Sequence, residues 1–174
     1  MQISERGIAL IKELEGLRLT AYECSANVWT IGWGSTTKVT PGMSISISEA
    51  EARLRKDINR FEKVITNEVK VPLTQHQFDA LVSFVFNVGA GAFTSSTLLK
   101  LLNSGDAHKA AKQFTKWVYV KGKVSAGLKR RRKLEKDLFL EDILAKPIVG
   151  TKEIAAIGTG TTLATSELLY KIDP

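Results

Sequence analysis

Residues 13–34 read ELEGLRLTAYECSANVWTIGWG, and the change of rhythm inside this stretch decides the fold. Just before and into it, Ile3, Gly7, Leu10, Ile11 and Leu14 recur at i, i+4, i+7, i+8 and i+11, one face of an amphipathic helix. Ser4 is placed to cap the start of that helix, and Gly16 to end it in the left-handed conformation. From Leu17 to about Thr37 the pattern becomes an alternation of aromatic and β-branched residues around the polar SAN at 25–27, which predicts a β-hairpin. Glu15 then stands at a helix C-terminus, while Cys24 and Thr30 lie on the two strands. With the turn centred on Asn27, Cys24 and Thr30 face each other about 5 Å apart, and Glu23 points the other way.

Outward from the hairpin the chain is helical. Pro41 and Gly42 mark a turn, after which residues 46–69 take helical period over about 20 residues, long enough to bridge a small β lobe to a second, helical one. Ser48 with Glu51 is read as its capping box, and Thr74 with Gln77 as that of the next helix, whose apolar stripe is Phe78, Leu81, Val82 and Val85. Shorter helices are expected over 96–105, 106–120 and 125–140, separated by Gly105 and Gly122. NVGAG at 87–91 is read as a helix ending. Pro147 opens a tail expected to form one or two short amphipathic helices.

At 174 residues the chain suits one compact unit. A lone cysteine excludes an internal disulfide, and two distant histidines, His76 and His108, offer no zinc spacing, so no cofactor or structural metal is expected. Charges at Glu5, Arg6, Lys12 and Glu13 interrupt any signal-peptide core, and no apolar run suggests a membrane span. Synthesis in the cytoplasm is the expectation.

The net charge of +7 is uneven: residues 109–136 hold eleven Lys and Arg against one Glu. Such a segment favours a polyanion, whether nucleic acid, anionic lipid headgroups or wall polymers. Its densest part, Lys129, Arg130, Arg131, Arg132 and Lys133, reads equally as a binding patch or as a solvated helix face interleaved with Leu128, Leu134 and Leu138. No helix-turn-helix or aromatic platform accompanies it, so no specific nucleic-acid partner is expected. GTGTT at 158–162 lacks the lysine of a phosphate loop.

A carboxylate at a helix C-terminus faces the negative end of the macrodipole, which disfavours its ionised form and suits a general acid in a partly dry cleft. Taken alone, Glu15 is more often a solvated helix end, Thr30 a good strand residue and Cys24 a small hydrophobe. Together they form a cluster. ELEGLRLTAYE and VWTIGWG, followed by LTQHQFDALVSFVFNVGAGAFTSSTLLKLLNSGD and then by Trp117 and the GL..RR..E pattern of 127–135, resemble the phage-type lysozymes, the glycoside hydrolase family 24 endolysins. The resemblance spans roughly residues 4–140.

The resemblance implies an α+β, mainly helical, lysozyme-like fold. A lysozyme domain would occupy 1–143, with a β lobe at about 17–45 joined by a long helix to a helical lobe at about 46–143 that includes the N-terminal helix. Residues 144–174 would form a C-terminal extension, either packed on the helical lobe or, with the basic patch around Lys129, Arg130, Arg131 and Arg132, engaging an anionic outer-membrane or wall surface. The resemblance also implies hydrolysis of the β-1,4 bond from N-acetylmuramic acid to N-acetylglucosamine in peptidoglycan, by a monomer released to the wall by a holin. Glu15 matches the family's catalytic glutamate and Thr30 its cleft threonine, while Cys24 replaces the usual aspartate. A thiol with an ordinary pKa of about 8.5 is a poor base at neutral pH, and glycoside hydrolysis commonly uses two carboxylates. Cys24 could act as a thiolate, could help Thr30 place the water, or could mark a relative that only binds glycan; an active enzyme is expected.

Overall fold

The structure, a computed structural model, describes residues 1–24 and 27–145. The expected C-terminal extension therefore lies almost wholly outside the described residues.

Helix α1 (Glu5–Glu15) begins and ends where its sequence places it. Ser4 Oγ accepts the Gly7 N–H at 3.2 Å, and Gly16 closes the other end with φ of 70°. Strands β1 (Arg18–Glu23) and β2 (Trp29–Gly32) come next as an antiparallel pair. The segment at 43–45 adds to the far edge of β1 through Ala21 N–H to Met43 O (2.8 Å) and Ile45 N–H to Leu19 O (2.9 Å).

The hairpin register differs from expectation. Tyr22, rather than Cys24, pairs with Thr30, and Glu23 pairs with Trp29. Cys24 lies level with Val28, whose carbonyl accepts its N–H at 3.0 Å. The cause is Asn27, which closes the turn instead of standing at its centre: its φ is 57°, and its N–H donates to Cys24 O at 2.9 Å. Cys24 and Thr30 still share a face, as diagonal neighbours at about 7–8 Å.

Helix α2 (Ile47–Glu68) spans the two lobes, and its cap is Ser46 with Glu49, not Ser48 with Glu51. Ser46 Oγ accepts the Glu49 N–H at 3.2 Å, and Glu49 Oε2 accepts the Ser46 N–H at 2.8 Å. Both pairs fit the same sequence pattern, but Ser46 carries the extended backbone that a cap needs, with φ of −74° and ψ of 164°, whereas Ser48 is already helical. Thr74 and Gln77 do form the capping box of α3 (Gln75–Val88). Short helices α4 (Ala90–Thr94), α5 (Thr97–Asn103) and α6 (Ala107–Gln113) continue the chain.

The helix expected over 106–120 stops early. A 3-10 turn at Phe114–Lys116 leads into a second hairpin, β3 (Tyr119–Val120) and β4 (Lys123–Val124). Lys121 and Gly122, with φ of 48° and 77°, supply the two left-handed residues of a type I′ turn, whose twist matches paired strands. Helix α7 (Ala126–Leu144) completes the described chain, capped by Ser125 Oγ on the Leu128 N–H.

Helix α3 is the axis of the helical lobe: every residue from Gln77 to Val85 is buried, with α1, α2 and α7 packed round it. Phe84 meets Phe114 edge to face at 5.0 Å, and Phe114 continues to Phe139 at 5.6 Å. Each fully buried ring contributes about 1.5–3 kcal/mol. The fully buried Asp79 anchors α1, accepting the Ser4 N–H at 2.9 Å and a Gln75 amide at 2.8 Å, with the Ser4 hydroxyl on its other oxygen. At Gly7 a Cβ would stand 2.8 Å from Asp79 Cγ, so glycine permits the close approach of α1 to α3. This fixes where the far end of α1, and hence Glu15, must come.

Candidate active site

Glu15 ends α1 against α7 and the foot of the first hairpin. Its Oε1 accepts from Arg131 Nη1 at 2.6 Å, and its side chain is only 20% exposed. On the other side Gly34 has φ of 88°, and a Cβ there would lie 3.3 Å from Glu15 Oε2. One carboxylate oxygen is thus committed to a guanidinium, while the other faces bare backbone four residues beyond Thr30.

The Arg131 guanidinium is itself held on every edge. Its Nε donates to Glu135 Oε1 at 3.0 Å and its Nη2 to the Ser83 carbonyl at 3.1 Å. Ser83 Oγ donates to the same Glu135 oxygen at 2.8 Å. Arg132 lies beside this group, wholly buried, with its guanidinium over the Phe84 ring at 4.8 Å and a bond to Asn87 Oδ1. Its Nη1 approaches Glu135 Oε2 at 3.2 Å, a charge contact without hydrogen-bond geometry.

Burial shapes the electrostatics of this cluster. It pushes Arg132 down to about 10, against the pull of Glu135. It pushes the Glu135 carboxyl up, opposed by Arg132, Arg131 and the bond from Ser83. Taking such charges out of water is costly, and the arrangement holds because every ion faces an opposite one.

These positions correct the expected basic patch. Lys129 and Arg130 are exposed, but Arg131 and Arg132 are among the most buried polar residues and belong to the site's scaffold. In α7 the buried set is Arg131, Arg132, Glu135, Leu138 and Phe139, the i, i+1, i+4, i+7, i+8 spacing of a core-facing stripe. That spacing, with a glutamate three and four residues after the arginines, was the available signal.

Thr30 is buried, and its Oγ1 donates to Val28 O at 3.0 Å. With its hydrogen committed, the hydroxyl can only accept from a further solute. Cys24 is half-buried on the same face of the hairpin. Among the described residues no cluster of three His, Cys, Asp or Glu side chains is placed to hold a metal ion.

A buried-footed carboxylate set between a β-hairpin lobe and a helical lobe is the arrangement of a lysozyme-type glycoside hydrolase. The sequence profile of the phage lysozyme family matches residues 12–135. An endolysin of Acyrthosiphon pisum secondary endosymbiont phage 1 is 50% identical over 143 residues, covering 80% of this chain and 98% of its own. The muramidase domain of SpmX from Asticaccaulis excentricus superposes with a TM-score of 0.76 at 42% identity, over 80% of this chain and 97% of that one. A crystal structure of a P22 lysozyme point mutant gives 0.74 at 40% identity, over 80% and 99%. The chain belongs to the phage lysozyme family, glycoside hydrolases that cleave peptidoglycan.

Proposed function

We propose that Glu15 is the proton donor of this peptidoglycan-hydrolysing muramidase and that Cys24 and Thr30 hold the attacking water. The observation that carries this reading is the asymmetry of Glu15: Oε1 is clamped by Arg131, and Oε2 is left beside Gly34 at the foot of the hairpin. A glycan lying between the lobes presents its β-1,4 oxygen to Oε2. Glu15 protonates that oxygen as the bond breaks, and Arg131 stabilises the carboxylate that remains. Thr30, unable to donate elsewhere, accepts a hydrogen from the incoming water and turns the water's lone pair toward the sugar carbon. Cys24, diagonal to it, borders the same water; the proton this water sheds as it bonds to the sugar carbon passes to bulk solvent, from which Glu15 is reprotonated for the next cycle.

Glu15→Gln keeps size and removes the proton donor. It is expected to abolish release of reducing ends from purified peptidoglycan, and release at the wild-type rate would overturn the assignment. The role of Cys24 is read from a pair of variants. Cys24→Asp is expected to match or exceed wild type, and Cys24→Ala to fall below it; equality of Ala with wild type would remove the thiol from the mechanism.

The substrate lies outside the cytoplasmic membrane, so lysis by this chain requires release to the wall, which we assign to a holin-type pore. Co-expression with such a pore should bring lysis that the chain alone does not cause. One copy suffices, because Glu15, Cys24 and Thr30 all belong to one chain. The exposed Lys129 remains available for an anionic surface, whereas Arg130 is already paired with Glu13.

A further inference from the structure

We propose that the β3–β4 hairpin, with the groove between it and α7, docks on an anionic phospholipid bilayer. This rests on the reading that the basic surface meets an anionic partner, and it names the partner and the contact. Eight large apolar side chains are exposed among the described residues, and three of them fall within this one hairpin: Tyr119 at 60%, Val120 at 52% and Val124 at 59%. Beside them lies a groove of about 740 Å³ whose lining includes Val118, Val124, Ala126, Lys129, Lys133 and Lys136.

The charge around this apolar surface has one sign. Lys116, Lys121, Lys123 and Lys129 are exposed and form no ion pair among the described residues, while the acid on the rim, Asp137, is already paired with Lys133 at 2.6 Å. A soluble polyanion would satisfy the lysines and leave Tyr119, Val120 and Val124 in water. A bilayer surface offers both parts, phosphates for the ammonium groups and an acyl boundary for tyrosine and valine. The type I′ turn holds the tip in a defined shape, so docking orders little new backbone.

Docking there leaves the catalytic carboxylate clear. At 3.6 residues per turn, Lys129, Lys133 and Lys136 share one side of α7, and Arg131, which holds Glu15, lies roughly opposite. The enzyme could therefore rest on a membrane while its cleft works on adjacent glycan.

The test is co-sedimentation of the full chain with vesicles of phosphatidylglycerol and phosphatidylcholine, with phosphatidylcholine alone, and in competition with soluble polyphosphate. Lys121→Asn with Lys123→Gln, the asparagine chosen to keep the left-handed turn, should weaken binding to the anionic vesicles about 30-fold, from about 1 kcal/mol per basic residue. Val120→Ser with Val124→Ser should weaken it about tenfold, and Tyr119→Ser gives an independent reading of the same tip. All three should keep wild-type turnover of purified peptidoglycan, which separates this proposal from the assignment of Glu15. Unchanged vesicle binding by both the valine and the tyrosine variants overturns it, as does equal binding to neutral vesicles. Wild type binding neither vesicles nor polyphosphate would show that the anionic-surface reading has itself failed. Polyphosphate binding as tight as vesicle binding would show that only the bilayer assignment has. Either outcome overturns the proposal.

Discussion

Arg131 divides one guanidinium among Glu15, Glu135 and the Ser83 carbonyl. A lysine in its place keeps the charge but loses the planar fork. Arg131→Lys is therefore expected to lower kcat on soluble glycan about 10- to 100-fold through misplacement of Glu15, with KM little changed; steady-state kinetics showing an unaltered kcat would make the clamp idle. Glu135 is the counter-charge to both arginines, and Glu135→Leu leaves the buried Arg132 without an acidic partner and Arg131 with Glu15 alone. We expect a loss of about 3–5 kcal/mol, read as a drop in the urea midpoint. At this scale the sequence exposed the acid but not its partner. Glu15 stands out at a helix end before a change of rhythm, whereas Arg131 and Arg132 sit in a run of five cations whose composition suggests water on every side. Their burial comes from sharing a face with Leu138 and Phe139, and only the helical phase separates them from Lys129 and Lys133.

Among the elements, the ends of α1 and the start of α3 were legible, whereas the end of α6 and the hairpin registers were not. Ser4, Gly16 and the Thr74–Gln77 pair act locally, through bonds within one turn, so their sequence pattern contains the cause. At α2 two serines fit the same pattern, and the chain's entry from the 43–45 segment selects Ser46. Ser46→Ala should cost about 0.5–2 kcal/mol, and Ser48→Ala should stay within about 0.5 kcal/mol; a pair of denaturation curves with the order reversed would contradict the cap. The first hairpin turns on Asn27, a residue equally at home in the centre of a turn or at its close, and a shift between those positions moved the partner of Thr30 from Cys24 to Tyr22. The β3–β4 hairpin escaped because two-residue strands are too short to show a period, although Lys121–Gly122 between valines and lysines carries the turn chemistry.

Over the whole molecule, five surface carboxylates are held below their ordinary range by hydrogen bonds, and each adds a small, solvent-screened share of stability that acid removes. Glu49 is lowered chiefly by the Ser46 backbone, Glu51 by Lys12, Asp106 by Lys109, Glu141 by Arg6 and Asp142 by Thr74. A depressed value in the folded state means that the unfolded chain takes up protons first. The stability these groups contribute is complete above the ordinary range near 4 and is lost as the pH falls from about 5 toward 3. Glu135 has the opposite sign: burial raises it, so its ionisation costs stability as pH rises through the folded value, and acid relieves that cost. Melting temperature should fall between about pH 5 and pH 3, and Arg6→Ala, which frees Glu141, should make the fall shallower; an identical slope in the variant would exclude that pair as a contributor. The ion pair between Glu15 and Arg131 joins residues 116 apart in sequence, across the first and last helices of the described chain. The ribosome therefore delivers Glu15 early in synthesis and its clamp 116 residues later. A nascent chain stopped before residue 131 carries Glu15 without the residue that holds it, so on the assignment of Glu15 proposed above, catalytic competence arrives only once α7 has been made.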